Sequence, residues 1–268
     1  MNQSGRLEVL IKGLMSENRN YDGIPIPNGD EERKILWRSL VNVRRPGEKT
    51  KEYIAVQDMF LKEELETRGI TDISELKPIC DDIYLWQGDI TTLKCDAIVN
   101  AANSKLTGCY VPMHKCIDNC IHTFAGMQLR NYCADIIKKQ GHDEPVGSAK
   151  ITPGFNLPCK YIIHTVGPKI GGALTDEDKS ELASCYTSCL ELADENELES
   201  IAICCISTGE FRFPHEEAAR IAVATVKEYK QRTGSSIKVV FNVFKDIDRD
   251  IYETNFELFY GIRKNAMD

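Results

Sequence analysis

The sequence predicts an α/β protein: a mostly parallel sheet covered by helices on both faces, preceded by a small helical region. Three observations carry that expectation. The runs D-A-I-V-N (96–100), K-Y-I-I-H-T (160–165), I-A-I-C-C-I (201–206) and I-K-V-V-F-N-V-F (237–244) are short, apolar and rich in β-branched residues. Strands buried on both faces read this way, without polar alternation. Stretches of helical period lie between them, at about 176–194 and from Pro214 to about 231, and strand–helix alternation defines the class. Up to residue 79 the pattern is helical, and at residue 80 it changes.

The elements follow in order. Residues 1–30 end in Y-D-G-I-P-I-P-N-G-D, a turn cluster. Asp30 precedes E-E-R-K-I-L-W-R-S-L-V-N, where acids fill the first turn and Ile35, Leu36, Leu40 and Val41 form an apolar stripe, as an amphipathic helix requires. That stripe must be covered, so this region is expected to pack against the rest of the chain. A second helix is predicted over about 52–67, ending at Gly69, and a short one over 72–77 before Pro78. I-Y-L-W-Q (83–87) and A-K-I-T (149–152) read as further strands. One long helix is predicted over about 115–139 and a last one over about 248–260.

With 268 residues, 42% apolar and 28% charged, the chain has room for one large domain and an accessory segment. The division expected is 1–79 and 80–268. No apolar run approaches the roughly 18 residues of a membrane helix, and the N-terminus shows no signal core. A cytoplasmic protein without membrane attachment is expected. The net charge of −8 argues against nucleic-acid binding, which needs clustered Lys and Arg. R-R-P-G-E-K-T-K (44–51) reads as a solvated loop between helices. Eleven cysteines in a reducing compartment are expected to be free thiols or metal ligands. Cys185, Cys189 and Cys204 fall on core positions.

Three segments at strand ends carry candidate chemistry. In Q-G-D-I-T-T-L (87–93), Asp89 offers an acceptor. In N-A-A-N-S (100–104), two amides can bond sugar hydroxyls. In C-I-S-T-G-E-F-R-F-P (205–214), small residues leave backbone N–H groups free to surround a phosphate, and Phe211 or Phe213 can wall a pocket. A fourth, G-C-Y-V-P-M-H-K-C (108–116), brings Cys109, His114 and Cys116 close together in sequence. Structural zinc sites close with four protein ligands, whereas open sites use three; three ligands followed by a helix match the open type. Cys120 is either a fourth ligand or, with Cys116 and Cys133, part of a packed helical face. His122 shares a helical face with Asp118 and is expected to pack on the cleft floor, while His142 and His164 are expected to be exposed or structural.

Together, Q-G-D-I-T, D-A-I-V-N-A-A-N-S, Y-I-I-H-T-V-G-P and I-S-T-G-E-F-R-F-P, in this order, resemble the macrodomain family over about residues 80–265. The resemblance implies a three-layer α/β/α fold that binds ADP-ribose at the C-terminal ends of the strands. It places Asp89 at the adenine amino group with Ile90 beside it, Asn100 and Asn103 at the distal ribose, and Ser207, Thr208, Gly209, Glu210 and Phe211 around the diphosphate. Asp118 and His122 match the Asp/His pair of family hydrolases, where Asp118 would act as general base or ribose anchor and Asn103 would orient the sugar. C-Y-V-P-M-H-K-C replaces the usual Gly-rich run and is similar to the zinc-dependent branch, which also has an N-terminal helical extension. In that branch Cys109, His114 and Cys116 would hold Zn2+. The implied activity is removal of mono-ADP-ribose from modified proteins, with acyl-linked Asp or Glu the preferred linkage. A sirtuin-type transferase on the same target is implied as a partner. A non-catalytic ADP-ribose reader, or a hydrolase of O-acetyl-ADP-ribose, are the alternatives. Glu210 departs from the usual aliphatic residue and is expected to point away from the diphosphate or toward the zinc side.

Overall fold

The computed structural model describes residues 1–262; the last six residues of the expected 80–268 unit lie outside them. Three helices come first: α1 (Gln3–Met15), α2 (Asp30–Val43) and α3 (Lys51–Arg68). The sequence reading assigned no element to α1, although Leu7, Leu10, Ile11 and Leu14, all buried, follow the helical period. These residues build a core with Trp37, Leu40, Val41, Phe60 and Leu61. Trp37 meets Phe60 edge-on at 4.9 Å. Each such side chain contributes about 1.5–3 kcal/mol when fully buried. Met127 and Phe124 of the following unit close this core, so the expected packing of the helical region against the rest of the chain is observed.

A two-residue strand β1 (Thr71–Asp72) and a 3-10 turn at Ile73–Glu75 stand where the short helix was expected. Then come β2 (Ile83–Gln87), β3 (Leu93–Lys94), β4 (Ala97–Ala101), α4 (Ile117–Ala125), α5 (Met127–Gln140), β5 (Ala149–Pro153), β6 (Tyr161–Thr165), α6 (Asp176–Glu195), β7 (Ser200–Cys204), α7 (His215–Thr233), β8 (Lys238–Val243) and α8 (Asp246–Tyr260). β1 pairs with β3. The main sheet has six strands in the order β2-β8-β7-β4-β6-β5, and every pair is parallel except β5 with β6. This is the predicted mixed, mostly parallel sheet.

The long helix expected at about 115–139 is two helices. Gly126 separates them at φ +94, and a Cβ there would stand 2.7 Å from Gln57 Nε2. Gln57 of α3 is fully buried at this break. Its Oε1 accepts from Met127 N at 3.2 Å, satisfying a first-turn amide of α5 that has no partner in its own helix. Gln128 Oε1 and Asn156 Nδ2 crowd the same position, at 2.8 and 2.9 Å, so the break requires a residue without a side chain.

Candidate active site

The parallel order sends the segments after β2, β4, β6, β7 and β8 to one sheet edge, where ligands bind in open α/β folds. Across that edge lie Asp89 after β2, Phe244 after β8, the 205–213 loop after β7, and the 102–116 loop after β4. The sheet thus places the Cys/His loop beside the Ser-Thr-Gly loop and Asp89 at the far end.

Asp89 is half-exposed. Its Oδ1 accepts from Thr91 N at 2.9 Å and its Oδ2 from Arg68 Nη1 at 3.0 Å, leaving acceptor capacity on a two-lone-pair oxygen. Ile90, next to it in the chain, has its side chain in the core. Phe244, the last residue of the strand expected over 237–244, lies just past β8 and is 73% exposed. In the β7 loop, Ser207 takes φ +66 and Arg212 φ +60. Strained backbone of this kind persists where surrounding structure holds it. Phe213 N donates to Ser207 O at 3.0 Å and Ile170 N to Phe211 O at 2.8 Å. Among the described residues, the N–H groups of Gly209, Glu210 and Phe211 take no hydrogen bond within the protein. They remain available to an anion. Thr208 Oγ1 is turned inward to Cys205 O at 3.0 Å.

Asn100 differs from its expected place at the ribose. It is fully buried one layer behind the cleft, donating from Nδ2 to Asp118 Oδ1 at 2.9 Å and to His164 Nδ1 at 3.1 Å. The reason is its register: it lies inside β4, paired with His164 of β6. Asn103, past the strand end, is half-buried and donates to Asp118 Oδ2 at 3.2 Å and to Gly108 O at 3.1 Å. Burial pushes Asp118 up to about 6, against the pull of the Asn100 bond, the Arg130 charge and the Asn103 bond. His122 Nε2 stands 3.6 Å from Asp118 Oδ1. Burial, with Arg130 and His164 nearby, drives the His122 imidazole well below its ordinary value, so this is a contact of a neutral ring and not an ion pair. His122 is buried against the loop backbone, with neither ring nitrogen hydrogen-bonded: Gly108, at φ +82, passes so close that a Cβ would meet His122 Cγ at 2.7 Å.

The ligand atoms of Cys109, His114 and Cys116 lie within 4.8 Å of one another, all half-buried. Zinc about 2.3 Å from sulfur and about 2.05 Å from nitrogen in tetrahedral geometry sets an S···N edge of roughly 3.6 Å. Cys109 Sγ and His114 Nδ1 are 3.6 Å apart, so the residues present fit a zinc ion. Burial raises the Cys116 thiol to about 12, and a bound cation is what would keep such a sulfur as thiolate. Cys116 also caps α4, its Sγ accepting from Asn119 N at 3.5 Å. Cys120 stands outside this group and takes Arg38 Nη2 at 3.5 Å. Glu210 points to the metal-ligand side: its Oε1 is 3.5 Å from His114 Nε2.

The fold and this edge define an α/β protein with a Cys2His group in the loops at the C-terminal ends of its parallel strands. The Macro domain family profile matches residues 99–222. The chain is 58% identical over 256 residues to a protein of Treponema medium named protein-ADP-ribose hydrolase, covering 94% of this chain and 98% of that one. A Staphylococcus aureus protein of the same name is 53% identical, covering 94% and 95%. Among solved structures, the Oceanobacillus iheyensis macrodomain with ADP matches with TM-score 0.62 and 35% identity, over 69% of this chain and 96% of that one. The Trypanosoma brucei macrodomain in complex with ADP-ribose matches with TM-score 0.63 and 28% identity, over 81% and 94%. This chain belongs to the macro domain family.

Proposed function

We propose that this chain is a zinc-dependent hydrolase that removes mono-ADP-ribose from modified protein side chains, with acyl-linked Asp or Glu the preferred linkage. The observation that carries the reading is the convergence at one sheet edge of the Cys109/His114/Cys116 group, the Asn103–Asp118 pair and the open N–H groups of the 209–211 turn. Relatives over 50% identical along almost their whole length carry the name protein-ADP-ribose hydrolase.

In this reading Asp89 accepts from the adenine amino group, Phe244 covers the base, and the N–H groups of Gly209, Glu210 and Phe211 hold the diphosphate. Asn103 orients the distal ribose and Asn100 sets the Asp118 carboxylate from behind. Cys109, His114 and Cys116 would hold the zinc ion, which would supply positive charge at the distal-ribose end of the cleft. Water adds to the anomeric carbon, the bond to the side-chain carboxylate breaks, and the carboxylate leaves with the electron pair. In this reading Asp118 takes the proton from that water as general base. Two thiolates make the metal site less electrophilic than three imidazoles, which suits a good leaving group such as a carboxylate. The transferase acting on the same target is of sirtuin type in this reading, which rests on the resemblance of the sequence to the zinc-dependent branch.

The test combines metal content of the purified protein with turnover of mono-ADP-ribosylated proteins linked through Asp/Glu, Ser or Arg. One equivalent of zinc and preferential release from the acyl linkage are expected. Full activity in verified zinc-free protein overturns the metal role; ADP-ribose binding without release from any linkage overturns the hydrolase.

A further inference from the structure

The N-terminal helices reach the Cys/His loop through two side chains. Asn42, fully buried near the end of α2, accepts from Met113 N at 3.0 Å and donates to Thr123 Oγ1 at 2.9 Å. Arg38, one turn earlier, donates from Nη2 to His114 O at 2.9 Å and to Asn119 Oδ1 at 3.1 Å. Asn119, itself fully buried, donates from Nδ2 to Val111 O at 3.0 Å and to Cys109 O at 3.4 Å. Four backbone groups in eight residues are thus held by side chains, two of them directly from α2. Met113 is held at φ +56, a conformation that a non-glycine residue keeps only when its surroundings enforce it.

The anchor itself is fixed. Trp37, Leu40 and Val41 hold α2 in the N-terminal core. Arg130 Nη1 donates to Val41 O at 3.0 Å and Asn42 O at 2.9 Å, capping carbonyls that a helix C-terminus leaves open. Its guanidinium also lies 4.5 Å from the Tyr110 ring in the same loop. The grip therefore ties α2 and α5 to the loop that carries all three metal-type ligands.

We infer that the N-terminal helical region is a positioning element for the metal loop: Arg38 and Asn42 hold the 109–116 backbone in the shape that brings Cys109, His114 and Cys116 together. The inference deepens the zinc reading above and rests on it for its second readout. Supporting contacts outside the ligand shell typically change metal affinity by about 10–100-fold.

The experiment uses the full chain and the variants Asn42→Ala and Arg38→Ala. The first readout, in metal-free protein, is hydrogen exchange at the Met113 amide, expected to be at least about tenfold faster in Asn42→Ala. The second is zinc affinity by competition with a chromophoric chelator well below the melting temperature, expected to fall about 10–100-fold in both variants while affinity for ADP-ribose stays within about twofold. A merely structural role would lower the melting temperature and leave zinc affinity unmoved. Unchanged Met113 exchange, or zinc affinity within about twofold of the parent in both variants, overturns the inference. Should Asn42→Ala not fold, the half-exposed Arg38→Ala decides by the second readout. A parent chain that takes up no zinc defeats the metal reading instead, and Met113 exchange then decides whether the grip exists.

Discussion

Among the described residues, two groups of cysteine and histidine have ligand atoms within 4.8 Å of one another: Cys109/His114/Cys116 in the loop before α4, and His122/Cys133/His164 between α4, α5 and β6. The second is fully buried and the first half-buried. In the second, His164 already has a partner on each nitrogen, accepting from Asn100 Nδ2 at 3.1 Å and meeting Thr152 Oγ1 at 3.0 Å. Burial lowers it to about 3 and raises the Cys133 thiol. A cation there would have to displace hydrogen bonds and deprotonate a thiol inside the core, at the desolvation cost of any buried charge. In the first group the imidazole offers Nδ1 to the cluster while Nε2 faces a carboxylate. His122 has neither ring nitrogen hydrogen-bonded, so what separates the buried group is the desolvation cost of a cation and the engaged nitrogens of His164.

The sharpest way to break this comparison is to remove one thiol from each group. Cys116→Ala is expected to lose stoichiometric zinc and to lower release of acyl-linked ADP-ribose by more than about 100-fold, while ADP-ribose still binds. Cys133→Ala is expected to keep its zinc and to lose about 1–3 kcal/mol of stability, as core truncations do. Zinc retained in the first variant, or lost in a folded second one, would erase the distinction.

The buried pair should instead appear in the pH dependence of stability. His164 titrates at about 3 when folded and near 6.5 when unfolded. His122 is lowered too. Between those values the unfolded chain binds more protons than the folded one, so stability is fully present above about pH 6.5 and falls as pH drops toward 3. For His164 the loss approaches about 5 kcal/mol at the acid end. Urea denaturation at several pH values checks it: the parent should lose stability more steeply below pH 6.5 than His164→Gln. Parallel slopes would show that the ring does not hold its low value.

How much of this was legible in the sequence divides along the same line. The buried strands stood out because two covered faces demand continuous apolar residues, and the three metal-type ligands lie within eight positions. Asn100 was read as a sugar-facing amide because nothing local shows that its place in β4 points it behind Asp118. Arg38, Asn42, Gln57 and Asn119 were not found. Arg38 meets His114 across 76 positions and Asn42 meets Met113 across 71; such contacts leave no periodic trace. The break at Gly126 was hidden for the same reason, since a glycine in a helical pattern is tolerated until Gln57 arrives from α3. The helix α1 is the opposite case: Leu7, Leu10, Ile11 and Leu14 carry its period within the local sequence.

The smallest expected effect tests what completes the loop group and has no counterpart in the buried one. Glu210 Oε1 lies 3.5 Å from His114 Nε2, the side of the ring away from Cys109. A carboxylate in that place favours the tautomer with its proton on Nε2, which leaves the Nδ1 lone pair for the sulfur side. Because the Glu210 side chain is 74% exposed, water screens much of this effect and can replace it in part. Glu210→Gln keeps the reach and loses the charge; it is expected to weaken zinc binding about threefold to tenfold, at the low end of such supporting contacts. Glu210→Lys brings a positive charge to the metal and is expected to weaken it further. Chelator competition on both variants, beside a melting curve to verify the fold, reads the difference. If Glu210→Lys binds zinc as tightly as the parent, the carboxylate does not act on His114, and its position beside the ring is a property of an exposed side chain.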